Sequence, residues 1–144
     1  MRSNVPALAA AAVSGAAIIA LVLAACTGPE VERARGRDLF LTYCQGCHGA
    51  GGTGDGPAAA ALGKRPADLT TIARRNGGDF PLIRVMSVID GYTRRNDHGS
   101  VMPEMGPAIE AGPTAILRMQ DGQETPVPQG LLDLARYVET LQKN

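Results

Sequence analysis

The sequence is poor in aromatic residues and in cysteine, and it has no excess of positive charge. It contains no tryptophan, two phenylalanines and three tyrosines in 144 residues, so aromatic side chains supply little bulk for a hydrophobic core. Three cysteines are too few for a disulfide scaffold. The 14 basic residues balance the 14 acidic ones, which excludes the basic surplus expected of a nucleic-acid-binding protein.

The longest apolar run lies at the N-terminus, from Val5 to Ala25, and ends in Leu23-Ala24-Ala25-Cys26. A short apolar region, small residues and then a cysteine are typical of a bacterial lipoprotein signal. The sequence therefore predicts a signal peptide over residues 1–25, lipidation of Cys26 and a tether over residues 26–32. The alternatives are an uncleaved membrane anchor, since about 20 apolar residues can span a bilayer, and ordinary cleavage of the signal without lipidation. All three interpretations place the rest of the chain outside the cytoplasm.

The chemically most informative stretch is Cys44-Gln45-Gly46-Cys47-His48. Two cysteines three positions apart, followed directly by a histidine, form the attachment pattern of a c-type haem. The two thiols form thioethers to the vinyl groups of one porphyrin, and the imidazole binds the iron. A thioredoxin-like dithiol, a zinc site completed by His98 and a chance match are the alternatives. A thioredoxin-like pair would follow a strand, and the sequence predicts none before Cys44.

Apolar spacing predicts helices on both sides of this motif. The first is expected over residues 31–43 and the last over residues 128–142, and the two should cross at Gly36, Phe40, Leu134 and Tyr137. Another helix is expected from about Pro81 to Gly91, with one face forming a wall of the haem pocket through Leu82, Val85, Met86 and Ile89. A helical turn over residues 57–62, a loop over 96–106 and a small hairpin within 114–127 complete the prediction.

These features together resemble the class I, mitochondrial-type c-type cytochromes. The resemblance rests on Gly36 and Phe40 before the haem motif, the Gly54-Asp55-Gly56-Pro57 run, Met102-Pro103 in a loop, and Leu134 with Tyr137 near the C-terminus. It implies an all-α cytochrome c fold over residues 33–144, in which the N- and C-terminal helices cross around one covalently bound haem.

The resemblance also implies two further contacts to the haem and its histidine. Met102 is the expected second iron ligand, and Met105 is its first competitor; His98, Met86 and Met119 are the others. A proline carbonyl is expected to accept a hydrogen bond from His48, with Pro57 as the closer match and Pro66 as its rival. Five arginines are candidates to pair with the haem propionates or with an acidic partner: Arg65, Arg74, Arg75, Arg94 and Arg95.

The expected function is electron transfer by a protein with one haem and no enzymatic activity. A thioether and an imidazole fill both axial positions of the iron, so no position remains for oxygen, peroxide or a small-molecule substrate. The expected partners are redox proteins, together with the membrane through the lipid on Cys26, and the expected location is the periplasmic side of the cell envelope. The alternatives are a haem sensor or enzyme with a labile sixth ligand and a haem subunit of a larger oxidase or dehydrogenase complex.

Overall fold

Helices dominate the structure, a computed structural model that describes residues 28–92, 102–109, 111–119 and 121–143. The elements in this part of the chain are α1 (Pro29–Tyr43), α2 (Gln45–His48), α3 (Ile72–Arg75), α4 (Leu82–Asp90), α5 (Gly106–Ile109), β1 (Thr114–Arg118), β2 (Glu124–Pro128) and α6 (Gln129–Thr140), with 3₁₀ turns at Ala59–Ala61 and Leu69–Thr71. Residues Arg33–Asn144 form one unit.

Several predictions fall on residues outside the described ranges. These are the signal peptide, the lipidated Cys26, and the roles suggested for Arg94, Arg95 and His98. Within the described residues, no helix combines the length and the apolar character needed to cross a bilayer.

The first and last long helices cross as the sequence predicts. Gly36 of α1 lies so close to α6 that an added Cβ would collide with the Asp133 carbonyl oxygen and would come within 2.9 Å of the Tyr137 Cβ. One turn further on, the rings of Phe40 and Tyr137 pack with their centroids 5.4 Å apart. Because Phe40 and Leu134 are both fully buried, this crossing forms the centre of the hydrophobic core.

A buried charge also lies at the crossing, and the sequence analysis did not single it out. The Asp133 side chain is 2% exposed, and its Oδ2 lies 2.6 Å from the Nε of Arg35. Neither atom has a hydrogen-bond partner, so this contact is an ion pair whose N–H direction is poorly aligned. The other carboxylate oxygen accepts a hydrogen bond of 2.7 Å from the Gln129 side-chain amide.

The predicted hairpin is present, and its register explains how it tolerates two prolines. Thr114 pairs with Pro128 and Ile116 with Pro126, while Met119 N–H donates to Gln123 O and Gln129 N–H donates to Pro113 O. In an antiparallel ladder, hydrogen-bonded pairs alternate with non-hydrogen-bonded pairs. Both prolines belong to non-hydrogen-bonded pairs, in which the backbone nitrogen faces away from β1, so the ladder does not need the N–H that proline lacks. The outer edge of β2 therefore cannot readily accept another strand.

The remaining elements agree with the predictions except in three places. Two predictions agree: the helical turn expected over 57–62 is the 3₁₀ turn Ala59–Ala61, and α4 ends directly before Gly91. The first difference is that the loop predicted over 96–106 is wrong at its end, because Gly106 begins α5. The second is that the last helix, Gln129–Thr140, is shorter than the predicted 128–142. The turns at 69–75 were not predicted, because Asp68 starts them through a side-chain cap that apolar spacing does not register.

Candidate haem site

The haem-attachment motif continues the first helix by one turn. The N–H of Cys44 donates to the Phe40 carbonyl, and the N–H groups of Cys47 and His48 both donate to the Cys44 carbonyl. This turn is α2, and it brings Cys44, Cys47 and His48 to a common cavity. Helix α1 leads directly into it, and the only strands in the described residues come later in the chain. Between residue 28 and Cys44, the part of the preceding chain that the structure describes, no strand of the kind that a thioredoxin-like dithiol would follow is present.

Both cysteines of the motif are partly buried, and neither forms a disulfide among the described residues. Burial, with a smaller contribution from nearby Cys47, raises the pKa of the Cys44 thiol to about 11. Among the described residues, no three His, Cys, Asp or Glu side chains come together as a metal-binding group, so the zinc interpretation has no support there.

A glycine-rich loop packs directly against the backbone of the motif. Gly54 N–H donates to the His48 carbonyl at 2.8 Å, and Gly56 N–H donates to the Cys47 carbonyl at 3.1 Å. A Cβ on Gly56 would collide with the carbonyl oxygens of Gln45 and Gly46. The loop thus fixes α2 by contacts that only a residue without a side chain allows.

The hydrogen-bond partner of His48 is a correction to the sequence prediction. The Nδ1 of His48 lies 3.0 Å from the carbonyl oxygen of Ala67, rather than from that of Pro57 or Pro66. Pro57 directly follows Gly56, which packs on the motif backbone, whereas the carbonyl within hydrogen-bond distance of the imidazole ring belongs to Ala67. With its proton on Nδ1, the ring donates to this carbonyl and presents Nε2 to a metal.

Two cavities meet at these residues and share Cys44, His48, Ala67 and Met102 in their linings. The inner cavity has a volume of about 480 Å³ and is walled mainly by apolar side chains: Leu69, Ile72, Val85, Val88, Ile89 and Val138. The outer cavity of about 240 Å³ adds Tyr43, Cys47, Leu62, Pro66, Pro103 and Met105. An apolar cleft of this size that contains a few polar groups is typical of a cofactor site.

The methionines separate into three groups. Met102 lines both cavities, whereas Met105 lines only the outer one. Met86 and Met119 instead line a groove of about 260 Å³ between α4 and the hairpin. Neither Met86 nor Met119 lines either of the two cavities that contain His48. This agrees with packing in the core, the alternative to iron binding for these two residues.

The wall formed by α4 differs in part from its prediction. Val85 and Ile89 line the inner cavity as expected, but Leu82 and Met86 lie on the side of the hairpin. Pro81, Arg84 and Val88 take their place in the cavity wall. Positions 81, 84, 85 and 88 also have the spacing of one helix face. The sequence therefore contained this second pattern, but the predicted stripe of Leu82, Val85, Met86 and Ile89 is the more apolar one.

Positive charges lie at two separate places in the cleft. Arg75 and Arg84 line the inner cavity beside Asn76, and Lys64 and Arg65 line the outer one beside the two cysteines. The Arg75 guanidinium donates to the Asp68 carbonyl at 3.0 Å and to the Thr71 hydroxyl, which fixes its position. Arg74 lines neither cavity, and sequence reasoning did not find Arg84.

These residues fit a haem. The cleft offers two thiols for covalent attachment, one imidazole held by a backbone carbonyl, a thioether and apolar walls, which is the donor set of a haem joined to its protein through thioethers. A helical domain with this site belongs to the class of c-type haem proteins.

Comparison with known families identifies the chain more closely. The family model described as Cytochrome c matches residues 33–142, which is more than half of the chain, so the chain belongs to the cytochrome c family. No match was found among curated proteins or among solved structures. The predicted all-α cytochrome c fold and the predicted covalent haem c cofactor are thereby confirmed, and the single matched domain is consistent with one haem. The protein is a haem-containing electron-transfer protein, and such a protein exchanges electrons with redox partners.

Proposed function

We propose that this protein is a periplasmic electron carrier whose haem iron is bound by His48 and Met102, and that it carries out no bond-making chemistry. A lipid on Cys26 tethers residues 33–144 to the membrane, with residues 1–25 removed as the signal peptide. Redox proteins are its partners, and it takes no small-molecule substrate or nucleic acid.

The position of Met102 is the observation that carries the proposed ligation. It is the one methionine of the described residues that lines both cavities together with His48 and Cys44. A neutral thioether favours Fe(II) over Fe(III), so His/Met ligation gives a higher potential than two imidazoles would. Met105 lines only the outer cavity, and we assign it to packing there.

The haem supplies a one-electron redox centre when bound, and the residues of the cleft hold and orient it. Cys44 and Cys47 would form thioethers to its two vinyl groups, each thiol adding across one vinyl double bond. The Ala67 carbonyl orients the His48 ring. The apolar side chains of the inner cavity would pack against the bound ring.

The charges of the cleft favour one placement of the propionates. The vinyl and propionate groups of haem lie on opposite halves of the ring, so the propionates should lie away from the cysteines. Lys64 and Arg65 share a lining with Cys47, whereas Arg75 and Arg84 do not. We therefore assign Arg75 and Arg84 to the propionates.

Paired substitutions test the proposed ligand. Ferric protein with sulfur-ligated haem has a weak near-infrared charge-transfer band. Met102→Ala should abolish this band and open the iron to carbon monoxide in the reduced state, whereas Met105→Ala, the matched control three residues away, should keep the band and exclude carbon monoxide. Loss of the band in Met105→Ala alone would overturn the assignment. Rapid carbon monoxide binding by the unsubstituted protein would favour the sensor or enzyme alternative.

Fractionation tests the proposed tether. Cys26→Ser should abolish incorporation of labelled fatty acid. It should also either release the haem protein from the membrane fraction or leave it there with residues 1–25 still attached, which the mass of the chain distinguishes. Thr27→Ser, at the next residue, is the matched control and should leave both unchanged. Unaltered membrane association and labelling in Cys26→Ser would contradict the proposal.

A further inference from the structure

The side chain of Gln142, just beyond the end of α6, is fully engaged in hydrogen bonds. Its Oε1 accepts from the Ala73 N–H at 2.9 Å, and its Nε2 donates to the Leu69 carbonyl at 2.8 Å and to the Val138 carbonyl at 2.9 Å. One amide thus joins the last turn of α6 to both ends of the segment 69–73. Neither the haem motif nor the proposed ligands include this residue.

The same segment is fastened at two further points. The N–H of Lys143 donates to the Thr70 carbonyl at 2.8 Å, and the N–H of Leu69 donates to the Gly52 carbonyl in the glycine-rich loop at 2.7 Å. Leu141 lies near Gly52 as well, since its Cδ1 would be 3.1 Å from a Cβ added there. The segment therefore lies between the end of α6 and the loop that packs on the haem motif.

This segment also carries the acceptor for His48. Ala67, whose carbonyl oxygen is 3.0 Å from Nδ1, lies two residues before Leu69. The Asp68 side chain accepts hydrogen bonds from both the N–H and the hydroxyl of Thr70, which makes the link from Ala67 to Thr70 a fixed turn. A displacement of segment 69–73 is therefore transmitted to the Ala67 carbonyl.

We propose that Gln142 is a positioning residue for the iron-binding imidazole: by holding segment 69–73 it sets the hydrogen bond between His48 Nδ1 and the Ala67 carbonyl. The proposal rests on the proposed function, in which His48 binds iron. A carbonyl acceptor at Nδ1 makes an imidazole a stronger donor to the metal, and a stronger donor favours Fe(III). Loss of the Gln142 amide therefore weakens this effect and raises the reduction potential.

The test uses holoprotein and a variant of nearly equal volume, Gln142→Met. We expect the Fe(III)/Fe(II) equilibrium to shift about threefold toward Fe(II), which corresponds to about 28 mV, and the paramagnetically shifted NMR signals of the His48 ring to move. Gln142→Asn, whose amide is one methylene too short, is the second variant and should shift both readouts in the same direction.

Two controls separate positioning from simple stability. Gln123→Ala, on the exposed hairpin turn, should leave the potential, the His48 signals and the stability unchanged. Leu131→Ala removes a buried side chain of α6 that lines neither cavity containing His48; it should lower the midpoint of thermal unfolding while leaving the potential and the His48 signals in place.

The outcomes distinguish the two proposals. If Gln142→Met and Gln142→Asn lower stability but leave the potential and the His48 signals unmoved, Gln142 is only structural and this inference is overturned. If the unsubstituted protein shows no shifted His48 ring signals, His48 is not an iron ligand and the proposed function itself fails.

Discussion

At the scale of single residues, Asp68 holds the turn that supplies the acceptor for His48. Its Oδ1 accepts hydrogen bonds of 2.7 Å from the Thr70 hydroxyl and 2.8 Å from the Thr70 N–H. These bonds, the hydroxyl first, lower the pKa of the Asp68 carboxyl below its usual range. Because the pKa is lower in the folded than in the unfolded chain, the ionised carboxylate stabilises the fold.

This shift predicts a specific pH dependence. The stabilisation is complete above the unfolded-state pKa of Asp68, about 4, and is lost as the pH falls through the lower, folded-state pKa. Asp68→Asn should therefore be less stable than the unsubstituted protein at pH 7, and the difference should shrink as the pH falls below about 4. Urea unfolding of both holoproteins at a series of pH values from 7 downward measures this. A difference that stays constant with pH would show that the carboxylate charge has no part in the turn.

The arginines of the cleft give a second prediction at this scale. Arg75 and Arg84 line the inner cavity, and Arg74 does not. Arg75 and Arg84, if they pair with the propionates, offset their negative charges. In the double variant Arg75→Gln with Arg84→Gln those charges are free to stabilise Fe(III). The reduction potential should then fall by about 30 mV or more, which is a threefold change in the Fe(III)/Fe(II) equilibrium. Arg74→Gln should change it by much less in the same redox titration. Equal effects of Arg74→Gln and the double variant would contradict the assignment.

At the scale of helices and strands, the crossing of α1 and α6 depends on the missing side chain at Gly36. Gly36→Ala should destabilise the folded protein by about 1–3 kcal/mol, because the new methyl group collides with the Asp133 carbonyl and the helices must separate. This is the net change: the cost of the collision exceeds the gain of about 1 kcal/mol in helix propensity that alanine brings.

Denaturant unfolding of the holoprotein measures this cost. Gly28→Ala is the control, since an added Cβ there meets no atom within 4 Å, and it should leave stability nearly unchanged. A Gly36→Ala protein as stable as the Gly28→Ala protein would show that the helices do not cross this closely.

The elements also show which features the sequence determines by itself. Helices α1, α4 and α6 and the hairpin were predicted because apolar spacing and turn residues are local signals. The ion pair of Arg35 with Asp133 was not found, because it joins residues nearly a hundred positions apart. The Ala67 acceptor was missed for a related reason: every residue has a carbonyl, so only the path of the chain selects one.

At the scale of the whole molecule, the haem should be required for the fold. The inner cavity alone has a volume of about 480 Å³, and without haem its apolar walls would face water. The chain also has no tryptophan to enlarge its core. We expect the chain without haem, made as Cys44→Ser with Cys47→Ser, to lose most of its helical circular dichroism and its cooperative thermal transition. Retention of both by the chain without haem would show that the core is sufficient alone.

The proposed electron transfer and the predicted dependence of the fold on haem both require one haem joined to the chain through Cys44 and Cys47. Intact-mass spectrometry under denaturing conditions tests this most directly, because only a covalently bound haem stays with the unfolded chain. For protein made in cells with a functional haem-attachment system, we predict the mass of the processed chain plus one haem, with the added mass on a peptide that contains both cysteines. A chain that loses all haem on unfolding, or that carries none, would contradict covalent attachment through Cys44 and Cys47.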